Sequence, residues 1–169
     1  MTMQTDVKSG HLNASGFIYI GRNRLRGMIA VGSATAGTIN MWDTTATPVS
    51  VTYGRSDATI TITHTAHGFK AGISTVGLTF AAGTGGTATN GNYLVATTPT
   101  ADTYTVTDIN SGSITAGAAG TEGTRWLTSV DSANTSAVVS SLFPAEGLLA
   151  LNGLYAQLSN QTGITVFYA

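Results

Sequence analysis

Apolar and polar positions alternate along nearly the whole chain, and no window holds a helical apolar stripe uninterrupted by Gly, Thr, Ser or Val. Residues 59–63 read Thr-Ile-Thr-Ile-Thr. Successive side chains of a strand point to opposite faces, so Ile60 and Ile62 are predicted to face a core and the threonines to face away. Short runs of the same kind recur at 17–20, 28–31, 38–42, 49–53, 76–80, 125–130, 137–143 and 164–168, punctuated by Gly, Asn, Asp and Ser. The apolar run 145–151 lies between Pro144 and Asn152-Gly153 and predicts a strand entering an Asn-Gly turn. The pattern predicts an all-β protein.

Three segments follow from this punctuation. Residues 1–55 and 124–169 are each too short to close a core, but together they supply enough short strands for a small β-sandwich, jelly-roll-like in type. Residues 56–123 then form a small β-barrel inserted in a hairpin of that host. Tyr53-Gly-Arg-Ser56 leaves the host and Glu122-Gly-Thr124 returns to it, as an insertion at an exposed loop tip requires. Residues 1–14 lack strand periodicity and are expected to form an extended arm across a neighbour. Deleting residues 2–12 is expected to weaken attachment and to leave the sandwich folded.

Composition narrows the function classes. Charged residues make up 9% of the 169, against roughly 25% in ordinary soluble domains. A surface so poor in charge implies cover by neighbouring subunits. The net charge of −1 gives no electrostatic case for nucleic acid. No run reaches the ~18–20 apolar residues of a membrane span, and the N-terminal residues lack the apolar core of a signal peptide. Without cysteine, neither disulfides nor thiolate metal sites arise. Assembly in bacterial cytoplasm is the expectation.

Candidate chemistry is sparse. His64 and His67 stand three apart, and residues three apart in a strand face opposite ways, so one metal ion would reach both only across a turn. The alternative is a strand-to-turn corner at His67-Gly68 with the ring bonded to backbone. No serine lies in a G-x-S-x-G elbow. Asp102 and Asp108 are the only acids near one another, one in a turn and one at a strand end. Glu146 reads as a turn cap or a rim ion pair. Gly83-Thr-Gly-Gly86 resembles a phosphate loop only superficially, because a strand follows it instead of a helix. No cofactor is implied, and an enzyme is not expected. Arg22, Arg24 and Arg26 alternate and therefore share one strand face, suited to bidentate bonds with carboxylates on a partner, with phosphate contact or an intrachain salt-bridge face as alternatives. Phe17 and Tyr19 share a strand face opposite Ile18 and Ile20, and Phe167 faces away from Ile164, Val166 and Tyr168. A sandwich covers one face of each strand. Phe17, Tyr19, Arg22, Arg24, Arg26 and Phe167 are therefore the candidate docking residues.

Two sets of residues also resemble parts of tailed-phage virion proteins. Ala66-His-Gly-Phe69, Val76-Gly-Leu78, Asn90-Gly-Asn-Tyr93-Leu-Val95 and Asp102-Thr-Tyr104-Thr-Val106 resemble a small β-barrel module that recurs in phage structural proteins. Phe143-Pro-Ala-Glu-Gly147, Asn152-Gly-Leu-Tyr155 and Thr165-Val-Phe-Tyr168 resemble the end of a small structural domain of marine podovirus and cyanophage type, with Ala145 where Gly is usual. The resemblance implies a virion component on the capsid surface. That is a decoration or cement protein bound to the major capsid protein or other virion proteins, itself a homo-oligomer, with a trimer as the expectation. The alternative it leaves open is a tail-accessory or fibre protein whose exposed module binds a host glycan or receptor.

Overall fold

The computed structural model describes residues 6–133 and 136–169. Among these there is no helix, and sixteen strands follow in order. The first eight are β1 (Lys8–Leu12), β2 (Gly16–Ile20), β3 (Asn23–Gly32), β4 (Gly37–Asp43), β5 (Val49–Ser56), β6 (Thr59–Thr63), β7 (Thr75–Phe80) and β8 (Gly91–Leu94). The others are β9 (Thr97–Thr100), β10 (Thr103–Thr107), β11 (Ile114–Gly123), β12 (Arg125–Ser132), β13 (Val138–Leu142), β14 (Leu148–Ala150), β15 (Gly153–Ser159) and β16 (Gln161–Tyr168). The chain divides into two compact units, 1–47 with 127–169 and 48–126.

The discontinuous unit is a sandwich of two antiparallel sheets. One has the order β1-β16-β3-β13, with β14 also on β3, and the other β12-β4-β15-β2. Leu25, Met28 and Ala30 of β3 and Ile164 and Val166 of β16 meet Ile39, Met41, Leu154 and Ala156 of the second sheet in a fully buried core. A bulge in β3 decides which residues reach it. Phe167 pairs with Gly27 and Tyr168 with Leu25, so Arg26 is left over. The extra residue reverses the alternation: Asn23 and Leu25 point inward before it, Met28 and Ala30 after it. Arg22 and Arg24 precede the bulge and Arg26 sits in it, while Ile29 and Val31 beyond it are turned outward.

Two expectations change in this unit. Residues 8–12 are an edge strand paired with β16 from Lys8↔Tyr168 to Leu12↔Ile164, and Leu12 packs on the core. The arm reading for residues 1–5 lies outside the described residues. Asn152-Gly153 is not a hairpin turn, because β14 and β15 belong to different sheets. The buried Asp43 carboxylate holds the crossing, accepting from the amides of Leu151 (3.0 Å), Asn152 (2.7 Å) and Gly153 (3.2 Å). A Cβ on Gly153 would lie 2.8 Å from the Tyr19 carbonyl oxygen and 2.9 Å from that of Thr44.

The second unit is one antiparallel sheet, β8-β7-β11-β5-β6-β10-β9. It encloses a single core of Val51, Tyr53, Ile60, Ile62, Val76, Leu78, Phe80, Tyr104, Val106 and Ile114, so it curls as a half-barrel. Ile60 and Ile62 face inward, with Thr59, Thr61 and Thr63 outward. This unit begins at residue 48 and ends at 126, outside the 56–123 expected from sequence. The reason is pairing: β5 lies between β11 and β6 and cannot belong to the sandwich. β11 is itself unexpected, since its Gly/Ala-rich sequence has few residues of high strand propensity. Small residues suit its central place, because Gly120 lies 3.3 Å from Val51 and 3.5 Å from the Phe80 ring, measured from the position of a Cβ.

Candidate functional site

Two kinds of site stand out, buried polar clusters in the half-barrel and a basic, apolar surface on the sandwich. At one end of the β5–β11 ladder Glu122 is buried. Its carboxylate accepts from His64 Nδ1 at 2.9 and 3.0 Å and from the Tyr104 hydroxyl at 2.7 Å. Burial, and then the Glu122 charge, push the Tyr104 phenol far above its ordinary range. The cluster ties β11 to β10 and to the end of β6 across the inside of the curl.

At the opposite end of that ladder Arg55 meets Asp108, Nη1 to Oδ2 at 2.5 Å, with side chains 7% and 0% exposed. Arg55 also donates to the carbonyls of Gly112 (3.1 Å) and Ser111 (3.2 Å). Asp108 accepts from the amides of Thr89 and Asn110, both at 3.3 Å. Burial alone would raise the Asp108 carboxyl, but hydrogen bonds from Thr89, Arg55 and Asn110 hold it below the usual carboxylate range. Burial, with Asp108 nearby, pushes Tyr93 up to about 12, against the pull of Arg55; its hydroxyl donates to the Thr89 carbonyl. Sequence reasoning placed Arg55 and Glu122 on the flanks of the insertion and missed both clusters. The available signal was a lone charge at an inward strand position in a chain with few charges.

His67 forms the corner. Its Nδ1 accepts from the Phe69 amide at 2.9 Å, which fixes the neutral Nε2–H tautomer, and Nε2 donates toward the carbonyls of Thr100 and Thr103 at 3.2 Å. The ring stacks on Phe69 and meets Tyr104 edge-on, each at 5.3 Å. His64 and His67 thus commit their Nδ1 atoms to different partners, and among the described residues no group of three metal-ligating side chains occurs. Ala66 in the left-handed region (φ 55°) and Gly68 (φ 66°) make the turn.

On the sandwich, Arg22, Arg24 and Arg26 line one hollow of about 500 Å³ with Glu146 and Leu149. Arg24 pairs with Glu146 at 2.8 Å, on a rim where Glu146 is 78% exposed. Such a pair contributes about 0–1 kcal/mol. Among the described residues Arg22 and Arg26 have no carboxylate partner within salt-bridge distance. Arg26 also borders a second, more apolar hollow of about 650 Å³ formed by Val7, Leu142, Phe143, Pro144 and Phe167. On the same outward sheet face, Val138 is 65% and Leu142 81% exposed, and Ile29 and Val31 are exposed beside them.

The structure therefore brings together Arg22, Arg24, Arg26 and Phe167 of the expected docking residues. Phe17 and Tyr19 sit on β2, at the edge of the other sheet. Phe17 is half-buried edge-on to Tyr155 at 4.9 Å, and Tyr19 lies against Tyr168 at 5.4 Å. Leu142, Val138 and Phe143 were not singled out by sequence, because Val138-Val139 and Ser140-Ser141 make the two faces of β13 equally apolar.

No family model matches the chain, and neither the curated proteins nor the solved structures contain a significant match.

Proposed function

We propose that this chain is a tailed-phage virion structural protein that decorates the capsid and stabilises the assembled shell through non-covalent contacts. The observation that carries the reading is the outward face of the β16-β3-β13 sheet. Ile29, Val31, Val138 and Leu142 lie exposed there, with Arg26 bordering the same hollow as Leu142, and among the described residues neither Arg22 nor Arg26 has a carboxylate partner. An apolar face flanked by free guanidinium groups fits a partner surface that is apolar with acidic residues at its rim. Burial of one Leu or Ile side chain contributes ~1.5–3 kcal/mol, and many copies per shell add their effects by mass action. The role is structural, not catalytic: the two buried polar clusters have their hydrogen bonds satisfied within the half-barrel and act as clamps. The sequence motifs described above support the virion assignment.

The tail-accessory alternative needs exposed aromatics on the inserted module. Tyr104 and Phe80 are buried, and Phe69 and Tyr93 pack against the core, so no observation favours that reading. Co-sedimentation with shells of the parent phage stripped of this protein tests the proposal. The wild-type chain should sediment with the shells, and Leu142→Asp with Arg26→Glu should stay in the supernatant while remaining folded. Equal sedimentation of variant and wild type would refute the docking face.

A further inference from the structure

β13 ends its sheet, and its outer edge is open among the described residues. The Ala137 carbonyl accepts from Gly32 at 3.0 Å and the Phe143 amide donates to Arg26 at 3.0 Å, so the odd-numbered residues direct their backbone groups at β3. Alternation then leaves the N–H and C=O groups of Val138, Ser140 and Leu142 pointing away from the sheet. Natural edge strands are blunted by charge, proline or a bulge. β13 reads Val-Val-Ser-Ser-Leu, has none of these, and pairs with β3 without a register shift.

We infer that β13 pairs with β13 of a second copy, antiparallel about a twofold axis through Ser140. In that register all five residues of the strand find a partner. Val138 falls opposite the mate's Leu142 and Ser140 opposite its own equivalent, all on the exposed face. Val139 falls opposite the mate's Ser141 on the half-buried face. The residues whose backbone groups point outward are also those that this register makes hydrogen-bonded pairs. Val138 and Leu142, the two most exposed apolar side chains of the strand, cover one another. No charged residue lies in the paired segment, so the approach meets no like-charge repulsion. The two outward sheet faces become one continuous surface.

An edge of five residues buries less than the ~1,200–2,000 Å² of a stable dimer. Association is therefore weak in solution and is strengthened wherever copies are held side by side. The inference stands whether or not the partner is a capsid.

The absence of cysteine makes single-cysteine trapping clean. In a hydrogen-bonded antiparallel pair opposite Cα atoms are about 5.5 Å apart, inside the roughly 4.4–6.8 Å range of disulfides. Under mild copper–phenanthroline oxidation of the full chain, Ser140→Cys should give a disulfide dimer. Val138→Cys alone should not, since its equivalent lies four residues along, about 13 Å away. Mixing Val138→Cys with Leu142→Cys should restore the dimer band. Ile109→Cys, at a position 87% exposed in the other unit, measures random collision. Trapping of Ser140→Cys no faster than Ile109→Cys, or of Val138→Cys alone as fast as Ser140→Cys, overturns the pairing. All four positions are exposed, and an unchanged thermal transition confirms that each variant is folded.

Discussion

Replacing Arg55 by Ala should destabilise the half-barrel more than any surface substitution can. Among the described residues Arg55 is the only cation paired with the fully buried Asp108 carboxylate, and it also donates to the carbonyls of Ser111 and Gly112. Its loss leaves a buried charge with hydrogen bonds from Thr89 and Asn110 and, among the described residues, no cation. Breaking a buried pair from one side costs about 3–5 kcal/mol. In a unit of this size, 1 kcal/mol moves the midpoint by roughly 4–8 °C, so the half-barrel transition should fall by at least about 12 °C. Replacing both partners by apolar residues of similar volume, Arg55→Met with Asp108→Leu, should recover most of the loss, because a buried pair adds little over a well-packed apolar contact. Calorimetry with amide exchange on residues 48–126 reads both effects in the unit concerned. A loss under about 1 kcal/mol for Arg55→Ala, the scale of an exposed pair, would refute the claim that the pair is desolvated and clamps the sheet.

Other consequences follow from single positions. Ala145 has φ 54° where glycine is usual in the motif it matches. A left-handed L-residue costs roughly 1–2 kcal/mol, partly offset by glycine's greater chain entropy; Ala145→Gly should therefore raise stability by about 0.5–1 kcal/mol in a urea titration, and a loss would contradict the assigned backbone. His64→Ala leaves the buried Glu122 carboxylate with Tyr104 as its one remaining side-chain partner among the described residues and should cost about 1–3 kcal/mol, part of which Glu122→Leu in the same chain should restore; an unchanged midpoint for His64→Ala would show that the cluster is solvated. The Asp108 carboxyl is depressed by folding, so its stabilisation is complete above the unfolded value of about 3.9 and is lost as pH falls through the lower folded value. The half-barrel should weaken below about pH 4, and Asp108→Asn should flatten that acid limb; an acid limb identical in the variant would assign it to other carboxylates.

The fold class was legible because alternation is a local property. In β6 and β10 inward and outward residues fall where the period places them. The apolar residues on both faces of β2 and β16 were equally legible, whereas those of β13 were not. What escaped reading depended on partners distant in sequence. β5 looks like a host strand until its pairing with β6 and β11 is known, and β11 looks like a linker because packing, not propensity, makes it a strand. The bulge at Arg26 changes which side of β3 faces the core, and one leftover residue has no sequence signature. Glu122 and Arg55 gain their roles from burial, which only the curled sheet provides. Of the candidate surface, the arginine row was readable from its period, whereas the hollow beside Phe167 required β13 to be placed against β3.

A cryo-EM reconstruction of the parent virion tests the central claim most directly. The account predicts density for a two-unit, all-β subunit in icosahedral array on the shell, with the β16-β3-β13 face, Arg22 and Arg26 against the capsid protein. Density confined to the tail or collar, or a shell-bound subunit with that face turned to solvent, would contradict it.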